Sequence, residues 1–163
     1  MFQRTATIIL MIVWMTTIFI LSAQPQKESY DLSSKVETRI KKVVPNSVNL
    51  FESGKKLGVI FIRKFAHFYL YAGLGFLSIL FFRALGLKKS SLLAVLFSYI
   101  YACTDEIHQL YVPGREGKIS DVGIDMLGVG TGIFLVLMII LFMNVWKKYL
   151  KSFMLIIWKY MVK

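Results

Sequence analysis

From Met126 to Trp146 the chain carries no charged side chain. An α-helix rises ~1.5 Å per residue, so a run of this length reaches across the ~30 Å hydrocarbon core of a bilayer. It belongs to a longer apolar segment that opens near Asp121, and three further apolar runs precede it. The first, Thr5 to Leu21, lies behind Arg4. It exceeds the ~7–15 residues usual for a signal core, and Ser22-Ala23-Gln24-Pro25 lacks a small-x-small ending, so an uncleaved helix is expected. The second covers Phe65 to Phe82, and the apolar stretch 57–62 before Arg63-Lys64 suggests an earlier start. The third begins at Ser90 but is apolar only to Cys103, roughly 20 Å of helix. It must therefore continue through Thr104-Asp105-Glu106-Ile107-His108-Gln109, which carries polar side chains into the membrane.

Composition agrees. Hydrophobic residues make up 56% of the 163, and mean hydropathy is +0.63, more than one soluble core needs. The expected fold is all-α: a polytopic membrane protein with four transmembrane helices in a small bundle, over about 5–22, 65–82, 90–109 and 121–146, plus amphipathic interfacial segments. The net charge of +11 comes from cations flanking apolar runs. No aromatic-interleaved basic groove is present, so membrane lipids are the expected partner and nucleic acid is not. The lone Cys103 cannot form an internal disulfide and reads as a packed helix residue.

Between the first two spans lies a basic loop, 23–64, broken by Pro25 and Pro45. Leu32, Val36, Ile40 and Val43 recur there at helical spacing, as in a helix lying on the membrane surface. A solvated loop is the alternative. After the four-helix unit, 1–146, residues 147–163 alternate lysines with Phe153, Leu155, Ile156, Ile157 and Trp158, the pattern of a basic amphipathic interfacial tail.

Antiparallel connectivity puts the end of span one, the start of two, the end of three and the start of four on one side. Those four places hold the unusual residues: Ser22 and Gln24; Lys64, His67 and Tyr71; Asp105, Glu106, His108 and Gln109; Asp121 and Asp125. Residues three and four apart share a helix face. Lys64, His67, Tyr71, Gly75 and Ser78 form one stripe, and Asp121, Asp125, Gly128 and Gly132 another, the glycines allowing close helix approach. On span three Ala94, Ser98, Tyr101, Asp105 and His108 align beside Glu106 and Gln109. A polar pocket beneath one membrane surface is expected, capped by Arg115 from the Val112-Pro113-Gly114-Arg115 turn. In the plainer alternative the carboxylates pair with Arg63, Lys64 and Arg115 and hold four helices in register.

The candidate binding set is Lys64, His67, Tyr71, Asp105, Glu106, Gln109, Arg115, Asp121 and Asp125. If the protein is an enzyme, His67, Asp105, Glu106 and His108 are the catalytic candidates, since a carboxylate beside an imidazole serves proton transfer. The histidines and carboxylates could hold a divalent ion, but their spacing matches no standard zinc or calcium motif, so no metal and no cofactor are expected. No nucleophile elbow, P-loop or dinucleotide fingerprint occurs.

Arg63-Lys64-Phe65-Ala66-His67-Phe68-Tyr69-Leu70-Tyr71, Asp105-Glu106-Ile107-His108-Gln109, Val112-Pro113-Gly114-Arg115 and Asp121-Val122-Gly123-Ile124-Asp125-Met126-Leu127-Gly128 together resemble the VanZ-like family, as does Ser22-Ala23-Gln24. The resemblance covers about Thr5 to Ile140, with the tail after Lys147 outside it. The family is named for a bacterial membrane protein that lowers susceptibility to the glycopeptide teicoplanin. The resemblance implies a role in that resistance or in cell-envelope homeostasis, with a lipid, wall precursor or glycopeptide antibiotic as ligand, or as substrate of head-group chemistry. Leu70 stands where the family often has an acid. The resemblance also implies a bacterial cytoplasmic membrane location. Cations divide almost evenly between the two faces, and their crowding at helix ends in the short connection and tail points to cytoplasmic amino and carboxyl termini.

Overall fold

A computed structural model describes residues 2–43, 55–115 and 117–161. The expected break at Pro45 and the last two residues of the tail lie outside these. The described chain is all-helical: α1 (Phe2–Ser22), α2 (Gln26–Val43), α3 (Lys55–Ala84), α4 (Ser90–Gln109) and α5 (Ile119–Met161). Residues 26–43 of the basic loop are thus helical. The second span begins ten residues before Phe65, consistent with the apolar stretch at 57–62. At the other end α5 continues through Trp146, because no glycine or proline interrupts 147–161.

Among the described residues, three helices are long and apolar enough to cross a membrane, at Arg4–Ser22, Ile60–Ala84 and Ile119–Leu155. This corrects the expectation of four such spans. The helix that falls short is α4, and the reason lies in which face it turns inward. Its buried residues are Ser90, Ala94, Ser98, Ala102, Asp105, Glu106 and Gln109, while Leu92, Leu96, Tyr99, Ile100 and Ile107 are exposed. Small and polar groups face the bundle and apolar ones face outward, the reverse of a water-soluble helix and the arrangement lipid favours. That inward polar stripe lowers the helix's apolar average. From Lys89 the helix returns the chain alongside both α3 and α5.

The most extensive packing joins α3 to α5, and it depends on small residues. A Cβ on Gly128 would collide with the Phe68 carbonyl, one on Gly132 with that of Ala72, and one on Gly75 with that of Val129. The two backbones approach as closely as the glycines on each face permit. Around this seam Ile18, Tyr71, Leu74, Ile79, Ala94, Ala102, Val129 and Val136 form the core. Polar ties register the neighbours: Trp14 Nε1 donates to Leu70 O (2.8 Å), the Tyr101 hydroxyl to Met15 O (2.7 Å), and Ser98 Oγ to Ser78 Oγ (3.4 Å).

Candidate functional site

The turn after α4 is tight because the last carbonyls of the helix are used at once: Leu110, Tyr111 and Val112 donate to Ile107, His108 and Gln109. Gly114 then takes φ +75°, a left-handed conformation that favours glycine. This turn is pinned to the end of α1. Arg115 Nε donates to Gln24 O at 2.8 Å and its terminal nitrogen to Leu21 O at 3.3 Å, while Gln26 N donates to Pro113 O. The guanidinium therefore satisfies orphan carbonyls at a helix C-terminus, where a cation is also favoured. Among the described residues these are its hydrogen bonds, so it does not serve the carboxylate pairing of the plainer sequence reading.

The ends of α1, α4 and α5 and a point about three turns inside α3 meet beneath this strap. His67 on α3 faces Asp125 on α5, with Nδ1 and Oδ1 3.2 Å apart. From α4, Gln109 Nε2 donates to Asp105 Oδ2 (3.3 Å) and Glu106 Oε1 (3.4 Å), and the Lys118 backbone N–H donates to Glu106 Oε2 (2.8 Å). Gly117 makes that last bond possible: a Cβ there would lie 2.7 Å from Glu106 O, so a larger residue would hold the chain off α4. Asp125 is fully enclosed and Asp105, Glu106 and Gln109 retain 4%, 7% and 2% exposure. Tyr71 is also enclosed. Its hydroxyl lies beside Asp105, and neither it nor Ser22 Oγ, Asp105 Oδ1 or Asp125 Oδ2 makes a hydrogen bond of good geometry among the described residues.

Two cavities flank His67, Arg63 and Arg115. The larger, about 310 Å³, is lined by Gln26, Ile60, Arg63, Lys64, His67, Gly114, Arg115, Lys118, Asp121 and Ile124. The smaller, about 160 Å³, runs inward past Ser22, Leu70, Tyr71 and Asp105 under Ser29 and Ser33 of α2. Arg115 is held below the usual guanidinium range by burial and then by the charge of Arg63, with Asp105 and Glu106 opposing. An anion in the larger cavity would relieve that strain between like charges.

Of the nine residues expected to line a pocket, Lys64, His67, Arg115 and Asp121 line the larger cavity, and His67, Tyr71, Asp105 and Arg115 the smaller. Glu106, Gln109 and Asp125 line neither cavity; they are buried and hydrogen-bonded to the lining residues Lys118, Asp105 and His67 respectively. His108 diverges from the group. Its ring stacks on Phe19 at 4.6 Å, with Nε2 buried and unpartnered among the described residues. Lys118 and Gln26 were not singled out by sequence, although Lys118 directly precedes the fourth apolar segment on the converging side. His67, Glu106 and Asp125 each offer a donor atom, and these atoms lie within 4.8 Å of one another.

The VanZ/LLP1 family model matches residues 7–157. The chain belongs to the VanZ/LLP1 family. No curated protein and no solved structure gives a significant match. The VanZ/LLP1 match runs ten residues past Lys147, so the tail placed outside the family resemblance is largely inside it. Family membership and three apolar helices make this a multi-pass membrane protein.

Proposed function

We propose that this VanZ/LLP1 protein holds the anionic head group of a membrane lipid or lipid-linked wall precursor at one face of the bacterial cytoplasmic membrane. Through that binding it would contribute to teicoplanin-type glycopeptide resistance or to envelope homeostasis. The observation that carries the reading is the larger cavity. It lies where the apolar stretches end, at Ile60 and just before Ile119, and its ionic lining is Arg63, Lys64, Arg115 and Lys118 against Asp121. Its volume, about 310 Å³, is at the small end of ligand pockets, enough for a head group with the acyl chains left in lipid. Basic side chains at this depth draw anionic head groups, and guanidinium forks suit phosphate oxygens. In this reading the pocket faces outward and both termini are cytoplasmic, with α2 and the lysine-rich end of α5 at the interface.

The test uses full-length protein in phosphatidylcholine nanodiscs titrated with short-chain phosphatidylglycerol. A hydrogen bond to a charged group contributes ~1.5–3 kcal/mol, so the double variant Lys64→Gln/Lys118→Gln should weaken binding by at least roughly tenfold. Unchanged affinity would reject the cavity as the binding site. Glycopeptide susceptibility of cells expressing wild type or Asp121→Asn carries the test to phenotype; equal protection from both, or none from either, counts against the pocket.

The His67–Asp125 pair favours a second reading, acid–base chemistry on the same head group. There Glu106→Gln would leave binding intact and abolish turnover, followed by mass spectrometry of lipids and wall precursors. In a binder, affinity and phenotype fall together.

A further inference from the structure

The buried carboxylates at and behind the two cavities outnumber the protein partners that answer them. Asp105, Glu106 and Asp125 are all buried, and His67 lies within electrostatic reach of the three. Removing a carboxylate from water costs several kcal/mol unless charges and hydrogen bonds replace the solvent. Gln109 and the Lys118 amide satisfy part of Asp105 and Glu106, and His67 reaches one oxygen of Asp125. Asp125 Oδ2, in a side chain with no exposure at all, and Asp105 Oδ1 remain without a partner among the described residues. Arg115, which lines both cavities, gives its hydrogen bonds to the Leu21 and Gln24 carbonyls instead.

We propose that His67, Glu106 and Asp125 form a binding site for a divalent first-row metal ion, buried behind the His67 wall of the two cavities. Three observations meet there. The donors come from α3, α4 and α5, so packing that aligns the helices also gathers the ligands. Their donor atoms fall within 4.8 Å of one another. Metal–nitrogen and metal–oxygen bonds of ~2.0–2.2 Å allow two donors up to roughly 4.4 Å apart, so a small side-chain adjustment closes the set on one ion. The orphaned Asp125 oxygen supplies lone pairs that the protein leaves unused. One imidazole with two carboxylates suits Zn²⁺ or Mn²⁺ better than Mg²⁺ or Ca²⁺, which prefer oxygen alone. With three protein ligands the ion keeps an open position, and His67 lies at the wall shared by both cavities, where a ligand oxygen could approach. The site goes beyond the head-group reading and stands without it, because metal uptake is measured with no anionic lipid present.

The experiment takes the full chain, free of any affinity tag, in neutral detergent, stripped with chelator and dialysed. Zn²⁺ and Mn²⁺ are titrated in by calorimetry, with metal content counted by mass spectrometry and bound Mn²⁺ followed by electron paramagnetic resonance. Wild type should take up about one equivalent and prefer Zn²⁺ and Mn²⁺ over Mg²⁺ and Ca²⁺. Glu106→Gln and Asp125→Asn should each lower affinity at least roughly tenfold, while Asp31→Asn on the exposed side of α2 leaves it unchanged. If Asp125→Asn fails to fold, Glu106→Gln decides. No stoichiometric uptake by wild type, or wild-type affinity in Glu106→Gln, overturns the proposal.

Discussion

Replacing Gly132 by alanine adds one methyl group at the tightest point of the α3–α5 seam. The new Cβ would overlap the Ala72 carbonyl oxygen and lie 2.8 Å from Phe76 N and 2.9 Å from Ala72 C, all backbone atoms that cannot rotate away. The helices must separate, and overpacking of this kind costs about 1–3 kcal/mol. Alanine also improves a helix interior over glycine, by about 0.5–1 kcal/mol. Gly130 separates the two effects. It lies two residues away on the same helix, and a Cβ there meets nothing within 4 Å. Gly130→Ala should therefore gain up to about 1 kcal/mol from helix propensity, while Gly132→Ala carries the same gain against the packing cost. Their difference cancels propensity and isolates the seam, at about 1–3 kcal/mol. The assay is reversible unfolding of both variants in mixed micelles by graded SDS, followed by tryptophan fluorescence. Equal stability of the two variants would mean that α3 and α5 do not meet backbone to backbone at Ala72, and the registry that sets His67 against Asp125 would lose its basis.

Two further outcomes follow from the geometry. Arg115→Lys keeps the charge but loses the planar fork that spans Gln24 O and Leu21 O, so it should destabilise by ~1.5–3 kcal/mol. It should also expose the 110–118 turn to limited proteolysis, and wild-type protease resistance would contradict the strap. Tyr71→Phe removes a buried hydroxyl that lies beside Asp105 without a hydrogen bond of good geometry, so unfolding stability should stay within about 1 kcal/mol or rise. A loss above ~2 kcal/mol would reveal a hydrogen bond there, with Asp105 the nearest candidate.

Much of this was legible because helix periodicity and antiparallel parity are strong constraints. Gly128 and Gly132 marked a face of close helix approach, which the fold gives to α3, and antiparallel parity put His67 and Asp125 on the same side although they stand 58 positions apart in the chain. The span count was harder. Helix continuity carried the third run through Asp105 and Glu106 and counted a fourth span, yet those residues leave α4 less apolar than a membrane span needs, even though it turns them inward. The extent of α5 was missed because lysines 147, 148 and 151 resemble a stop signal, yet charge does not end a helix as proline or glycine does. Within the site, sequence could not choose between neighbouring carboxylates or between two histidines. Adjacent helix residues differ by ~100° in direction, and only packing shows that His108 turns to Phe19 while His67 turns to Asp125. The donor triad was invisible to motif spacing because each donor belongs to a different helix.

Single-cysteine labelling from each side of sealed, oriented vesicles goes to the core of this picture. In a Cys103→Ala background, cysteines at Lys64 and Lys118 should react with a membrane-impermeant maleimide from one side, and a cysteine at Lys88 only from the other. Reaction of positions 64 and 118 from opposite sides would dissolve the shared pocket, and with it the meeting of imidazole and carboxylates at one face.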